Sequence, residues 1–357
     1  MPLNDENRNW RTSAGLASAG VVMSASGASD ARRTSMGLVT YSLTGQGQRG
    51  RIPELPDYTD PLVFISEAAK FGASAVQFPF GVRDAEGIKL IQQTAQRLAV
   101  TLEGTLSLPR KDSDAPRFES EIQTLNDLGV RVARTVIFPG RRYEDLKTIE
   151  AYEAALSNAR DAIKRAEPIA KKHQIVLAIE NHKDQRVEER LALLTEFNSE
   201  YIGACLDVGN NISLLEDPVE VCGALAAWAR TVHFKDQGVR EYEDGFLLAD
   251  VPLGRGCIDL PGVIQAIRDK APKARFQLEL ITRDALKVPV LTEQYWATFP
   301  DAKASQLARA WAMIKQRSSS DPFPVISALS PTERIQAERA NLEESFRYAA
   351  DHLGFAL

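Results

Sequence analysis

From Met36 onward, short apolar runs alternate with longer helical patterns, and this alternation leaves the chain few folds to choose from. Eight runs read as strands: Gly37–Leu43, Ala73–Phe78, Ala99–Leu106, Val132–Phe138, Ile175–Glu180, Ile202–Asp207, Thr231–Phe234 and Phe276–Leu280. They are apolar without a polar alternate face, as strands covered on both sides must be. The segments between them carry helix signals. Asp60-Pro61 sets a cap and a first-turn proline before a helix ending near Gly72, Asp84 opens the next, and Arg117–Leu128 stops at Gly129. Tyr143–His173 is a long helical pattern in which Pro168 predicts a kink or break. Arg190–Phe197, Asp217–Ala229 and Asp259–Ala271 complete the series. Eight such units predict a closed (β/α)8 TIM barrel over 36–284. A doubly wound open sheet is the runner-up, but its first strand usually leads through a Gly-rich phosphate turn into a helix. Here Thr44-Gly-Gln-Gly-Gln-Arg-Gly50 runs into Ile52-Pro-Glu-Leu-Pro56 and reads as a flexible loop over the barrel mouth.

The flanks differ from the barrel in composition. Ser13–Ala31 is nearly all Ala, Gly, Ser and Val, with Arg8 and Arg11 before it and a cleavage-like Ala-Ser-Gly-Ala28. Residues 1–35 read either as a low-complexity leader or as a weak export signal of the twin-arginine kind, which leaves cytoplasmic and exported locations both open. Residues 285–357 form a C-terminal helical extension, with helices over Lys303–Arg317 and Ser330–Leu353. Such helices pack on the barrel or reach a second copy, so a homo-oligomer is an open expectation. A net charge of −5 gives no electrostatic footprint for nucleic acid, and no run is long and apolar enough to span a membrane. Three cysteines without a CxxC argue against a thiolate zinc site and a disulfide framework.

Four of the strand candidates end on metal-ligand types: Ile175-Val-Leu-Ala-Ile-Glu180-Asn-His182, Ile202-Gly-Ala-Cys-Leu-Asp207, Thr231-Val-His233-Phe-Lys235 and Phe276-Gln-Leu-Glu279. Burying a carboxylate at a strand end is costly without compensation. One such residue alone is more often a cap or an ion-pair partner, and a lone strand-end His more often a satisfied core residue. Four consecutive units with compatible ligands are another matter. Strand C-termini are where barrels place catalytic groups, and neighbouring strands lie about 4.8 Å apart. Glu180, Asp207, His233 and Glu279 are therefore expected to hold one divalent ion, Mn²⁺, Mg²⁺, Co²⁺ or Zn²⁺. On the same inward faces lie His182 and Lys235, while Gly209, two beyond Asp207, would leave space for substrate. The long segment Gln237–Cys257 is expected to cover the mouth and to bring Arg240 near substrate oxygens. His173 and His352 read as solvated helix residues, and Arg141-Arg142 as a solvated loop pair.

Ile179-Glu180-Asn-His182, Cys205-Leu-Asp207-Val-Gly-Asn210, His233-Phe-Lys235-Asp236, Pro252-Leu-Gly-Arg-Gly256-Cys-Ile-Asp259 and Leu278-Glu279 together resemble the xylose-isomerase-like barrel superfamily of sugar isomerases and epimerases. The resemblance spans Met36 to Arg283. It implies metal binding by the same four residues and proton transfer by Glu180 and Glu279 on opposite faces of a small sugar or keto-sugar, through a metal-stabilised enediolate. It also implies substrate contacts from His182, Asn210, Lys235 and Arg240. The chain departs from ketose epimerases in carrying Asn210 where they carry His, and Val239 where they place Arg, with Arg240 beside it. Asn210-Asn-Ile-Ser-Leu-Leu-Glu-Asp-Pro218 and Ile281-Thr-Arg-Asp284 resemble a subgroup with relatives acting on sugar acids, including 3-oxo-isoapionate decarboxylases. The alternatives are thus a dehydratase or β-keto-acid decarboxylase, or a non-catalytic sugar-binding barrel. The endonuclease IV branch needs more histidines than the four present.

Overall fold

The computed structural model describes residues 34–43 and 56–357. The leader and the Thr44–Gly50 loop lie outside the described residues. Eight parallel strands close into a barrel: β1 (Gly37–Val39), β2 (Ala75–Phe78), β3 (Thr101–Thr105), β4 (Val132–Thr135), β5 (Val176–Glu180), β6 (Ile202–Asp207), β7 (Ala229–Phe234) and β10 (Arg275–Leu278). Each takes the place of one apolar run in the sequence. β1 closes the ring by pairing with both β10 and β2, Leu38 facing Leu278 on one side and Val76 on the other.

The helices form the outer layer and start where side chains satisfy their free N–H groups. In α1 (Pro61–Lys70) Asp60 accepts from Leu62 N at 2.8 Å. In α2 (Ala85–Leu98) Asp84 accepts from Gly87 N. α3 (Ala115–Asp127) and α4 (Arg142–Asp145) follow, and then α5 (Ile149–Lys172), which runs through Pro168 without a break. α6 (Val187–Phe197), α7 (Pro218–Leu225) and α8 (Leu260–Arg268) follow in turn, the last two capped by Asp217 and Asp259.

Gln237–Cys257 is not an irregular loop. It forms a hairpin of β8 (Asp236–Tyr242) and β9 (Gly245–Val251), joined by β11 (Leu286–Val288) in a small antiparallel sheet. Asp236 organises the segment after the hairpin. Its carboxylate accepts backbone N–H groups of Gln237, Gly254, Gly256 and Ile258. A Cβ at Gly256 would meet Asp236 Oδ1 at 2.1 Å, so this position admits only glycine.

Beyond β10 come α9 (Glu293–Trp296), α10 (Ala304–Arg317) and α11 (Pro331–His352). α11 joins the barrel's outer layer. Phe346 stacks on Phe71 at the end of α1, and Arg339 pairs with Glu67. The tail then brings Phe355 against Phe234 and Phe276 at 5.6 and 5.3 Å, and Ala356 bridges Thr34. The Tyr295-Trp296 pair packs with Tyr143 and Phe299.

Two expectations about charged surface residues are corrected. Arg142 is 1% exposed. It bonds Thr298 Oγ1 and the Thr298 carbonyl, pairs with Glu189 and lies over the Tyr152 and Phe299 rings, so its charge is fully compensated inside. His173 is buried at the end of α5 with Nε2 3.5 Å from Glu119. A basic residue pair next to a strand, and a His after a helix, carry no local mark of the partners that bury them.

Candidate metal centre

Glu180 ends β5, Asp207 ends β6, His233 lies one residue before the end of β7, and Glu279 follows β10 directly. All four thus stand at the C-terminal rim of the barrel. One ligand atom from each lies within 4.8 Å of the others. Glu180, Asp207 and His233 are 0% exposed and Glu279 4%. His233 Nδ1 is 3.5 Å from Glu180 Oε2, 4.0 Å from Asp207 Oδ2 and 3.4 Å from Glu279 Oε1. Neither this nitrogen nor Asp207 Oδ2 makes a directed hydrogen bond. Buried polar atoms are almost always paired. His233 Nδ1 is not, and it faces one point among three carboxylates, an arrangement that fits a divalent cation with oxygen and imidazole ligands. Cys205 also comes within that distance of Glu180 and His233. Burial pushes its thiol up to about 11, so it is no thiolate at neutral pH.

The carboxylates are compensated by buried cations. Arg134 of β4 places Nε and a terminal nitrogen on Glu180 Oε2, while Asn210 Nδ2 donates to Oε1 at 3.1 Å. The Tyr41 hydroxyl sits 3.2 Å from the other terminal nitrogen of Arg134. Asp207 Oδ1 accepts the N–H groups of Gly209 and Asn210 at 2.9 and 2.8 Å. Lys235 Nζ donates to Glu279 Oε2 and stands 2.7 Å from Asp207 Oδ2 as an ion pair. Lys183 Nζ donates to Asn210 Oδ1. Arg134 and Lys235 thus pair with the three carboxylates, and the Lys183 ammonium stands one residue away on Asn210.

These neighbours set the protonation states. Burial alone would raise Glu180, but Arg134, with His233 and His182, more than offsets it and holds the carboxyl at about 2. Glu279 is likewise held well below the usual range, burial being outweighed by Lys235 and His233. Asp207 goes the other way, to about 6, because burial and the Glu279 and Glu180 charges outweigh Lys235. Burial and the nearby Lys235 ammonium bring Lys183 down to about 8. Burial pushes His182 down, toward the neutral ring.

Of the expected substrate contacts, Asn210 and Lys235 lie among the four ligands. His182 lies two residues beyond Glu180, with a buried Nδ1 that makes no hydrogen bond. Arg240 lies on the β8–β9 hairpin opposite Leu247 and makes no ion pair among the described residues. The space at Gly209 is taken. A Cβ there would meet Gln237 Oε1 at 2.7 Å and Lys235 Cδ at 3.2 Å, so the glycine lets the Lys235 stem pass rather than making room for substrate. Sequence reading missed Arg134, Lys183, Gln77 and Glu103. The available signal was a charged or amide residue inside an apolar strand: Val132-Ala-Arg134-Thr, Ala75-Val-Gln77-Phe and Thr101-Leu-Glu103-Gly.

A family model described as xylose isomerase-like TIM barrel matches residues 65–311. A 3-oxo-isoapionate decarboxylase of Pectobacterium atrosepticum is 31% identical over 103 residues, 28% of this chain and 38% of that protein. The chain thus matches less than half the length of this curated relative. Among solved structures, a D-tagatose 3-epimerase-like protein superposes with a TM-score of 0.52 at 14% identity, over 79% of this chain and 98% of that one. A probable 3-DHS dehydratase of Bacillus anthracis gives 0.51 at 16% identity, over 80% and 99%. At such identities the likeness is one of fold.

Proposed function

The chain belongs to the xylose isomerase-like TIM barrel family, and from that premise we propose that it is a divalent-metal-dependent isomerase or epimerase of a small sugar or keto-sugar. The observation that carries this reading is the convergence of Glu180, Asp207, His233 and Glu279 around a His233 Nδ1 that makes no hydrogen bond. These four would hold the ion. Bound there, it would supply Lewis acidity to a carbonyl and its neighbouring hydroxyl, acidifying the hydrogen on the carbon they share.

The residues themselves do the rest. Glu180 and Glu279 approach His233 Nδ1 from different strands at nearly equal distances, 3.5 and 3.4 Å. Two carboxylates so placed can take a proton from one face of a carbon and return it to the other. They are not equally free. A planar guanidinium grips Glu180 through two nitrogens, whereas a single flexible ammonium holds Glu279. Glu279 is therefore the more readily released base. His182, Asn210, Lys235 and Arg240 are the proposed contacts to substrate oxygens. Lys235 and Lys183 supply positive charge that would stabilise an enediolate.

A second reading is favoured by that same asymmetry and by the local resemblance to a decarboxylase. Decarboxylation of a β-keto sugar acid releases CO₂ and leaves an enediolate that takes up a single proton, so it does not need two matched carboxylate bases. Three buried cations would suit an anionic substrate. The assay is incubation with Mn²⁺ in D₂O with neutral keto-sugars and with 3-keto sugar acids. Deuterium incorporation with recovery of an isomer supports the first reading, CO₂ release the second. Neither product with any metal would remove both.

A further inference from the structure

Inside the barrel, below the four ligands, two polar side chains face each other across neighbouring strands. Gln77 of β2 and Glu103 of β3 are paired in register and are 0% and 6% exposed. Gln77 Nε2 is 3.3 Å from Glu103 Oε2, and Gln77 Oε1 is 2.7 Å from His233 Nε2 on the far side of the lumen. Thr231 Oγ1 reaches the same Glu103 oxygen at 2.7 Å, and Arg275 Nε lies 3.7 Å from the other.

The chemistry of these groups gives the chain of contacts a direction. Burial raises the Glu103 carboxyl, but an amide, a hydroxyl and a guanidinium, all able to donate, oppose that and favour the carboxylate, which only accepts. Gln77 must therefore turn its NH₂ toward Glu103. Its carbonyl is then left for His233, and a carbonyl cannot donate. Nε2 of His233 must accordingly carry a hydrogen whatever the charge of the ring, so Nδ1 is the ring nitrogen that can give up its proton and present a lone pair to an ion among the carboxylates. That Nδ1 is the ring atom without a hydrogen bond agrees with this direction.

We propose that Glu103 and Gln77 are positioning residues that fix the hydrogen of His233 on Nε2 and so reserve Nδ1 as the ligand atom. The inference rests on the reading of the four residues as a metal centre, but its structural half stands apart from it. Neither residue touches the ion or the substrate. They act through His233, from inside strands β2 and β3, which supply none of the four ligands. A partner of this kind typically changes metal affinity by about 10–100-fold.

The test uses the whole protein with ¹⁵N-labelled histidine. In the wild type, the ring signals of His233 should show a slowly exchanging Nε2–H. Gln77→Leu should lose that signal and weaken Mn²⁺ binding, read by calorimetry, by about 10–100-fold. Gln77→Glu combined with Glu103→Gln reverses the two roles but keeps the direction, since Glu at 77 accepts from both neighbours. This pair should retain the signal and bind Mn²⁺ within about threefold of wild type, which a merely space-filling role would not predict. The inference is overturned if folded Gln77→Leu binds Mn²⁺ as wild type does, or if His233 Nε2 carries no hydrogen. Should Gln77→Leu not fold, a loss beyond about tenfold in the exchanged pair overturns it. A wild type that binds no Mn²⁺ but shows the Nε2–H, lost in Gln77→Leu, would sustain the positioning role and sink the metal reading alone.

Discussion

Lys235 offers the sharpest test of what the rim is built to hold. Its ammonium lies 2.7 Å from Asp207 Oδ2 and donates to Glu279 Oε2, with 2% of the residue exposed. At an effective dielectric of 20, one contact at this distance is worth about 6 kcal/mol in gross Coulomb terms. Much of that is offset by taking the charges out of water. Removing one partner of such a buried pair typically costs about 3–5 kcal/mol. Lys235→Met keeps the stem beside Gly209 and deletes only the charge. In EDTA, urea unfolding should show it less stable than wild type by about 3–5 kcal/mol. If the rim holds a dication, that ion compensates the same two carboxylates. Saturation at a hundred times the dissociation constant stabilises a binding protein by about 2.7 kcal/mol, and the variant, with more negative charge to neutralise, should gain more. Mn²⁺ should therefore narrow the gap between the two proteins. A gap identical with and without Mn²⁺ would show that Lys235 and the metal do not share these carboxylates, and would refute the reasoning.

Glu279→Gln should lower deuterium exchange at the carbon next to the carbonyl by about 10² or more while keeping measurable Mn²⁺ affinity, and Glu180→Gln should cost less, since Arg134 already restrains that carboxylate; equal losses would contradict the inequality between the two bases. Glu216 titrates at about 7 in the fold because burial outweighs its bond from Asn211, against 4.5 ordinarily. A carboxyl with a raised folded pKa binds more protons folded than unfolded, so it weakens the fold as pH rises from below 4.5 through about 7. Glu216→Gln should gain stability over wild type between pH 5 and 8 by roughly 1–3 kcal/mol, and a pH-independent difference would count against the shift. Asp236→Ala strips the acceptor from four backbone N–H groups and should destabilise the 254–258 segment, seen as faster amide exchange there. Protection equal to wild type would deny Asp236 that role. Arg240→Ala should raise KM for the substrate without changing the melting temperature, and unchanged kinetics would remove Arg240 from the site.

The barrel was legible because its strands are buried on both faces. Val132-Ala-Arg-Thr and Phe276-Gln-Leu read as strands from their apolar residues alone, and Asp60, Asp84, Asp217 and Asp259 marked helix starts they do cap. The four rim residues were visible because each closes such a run. What stayed hidden depends on partners distant in sequence. Arg134 and Glu180 are 46 residues apart, and Glu103 and Thr231 are 128 apart across the lumen. An inward Gln or Arg stands out in an apolar strand, but nothing local names the partner it meets. The hairpin over Gln237–Cys257 was missed for a related reason: its third strand, Leu286–Val288, comes from the far side of β10.

The last barrel strand ends at Leu278, yet the helix that packs beside α1 begins only at Pro331. The ring can therefore be complete in its strands while Phe71, Phe234 and Phe276 still lack Phe346 and Phe355. On the ribosome, the first-made and last-made parts of the barrel would have to wait for each other. A nascent chain halted near residue 320 would display a sticky seam between its first and eighth units, the kind of surface that recruits chaperones or a second copy. Covering that seam falls to α11 and the tail behind it, which carry Phe346 and Phe355.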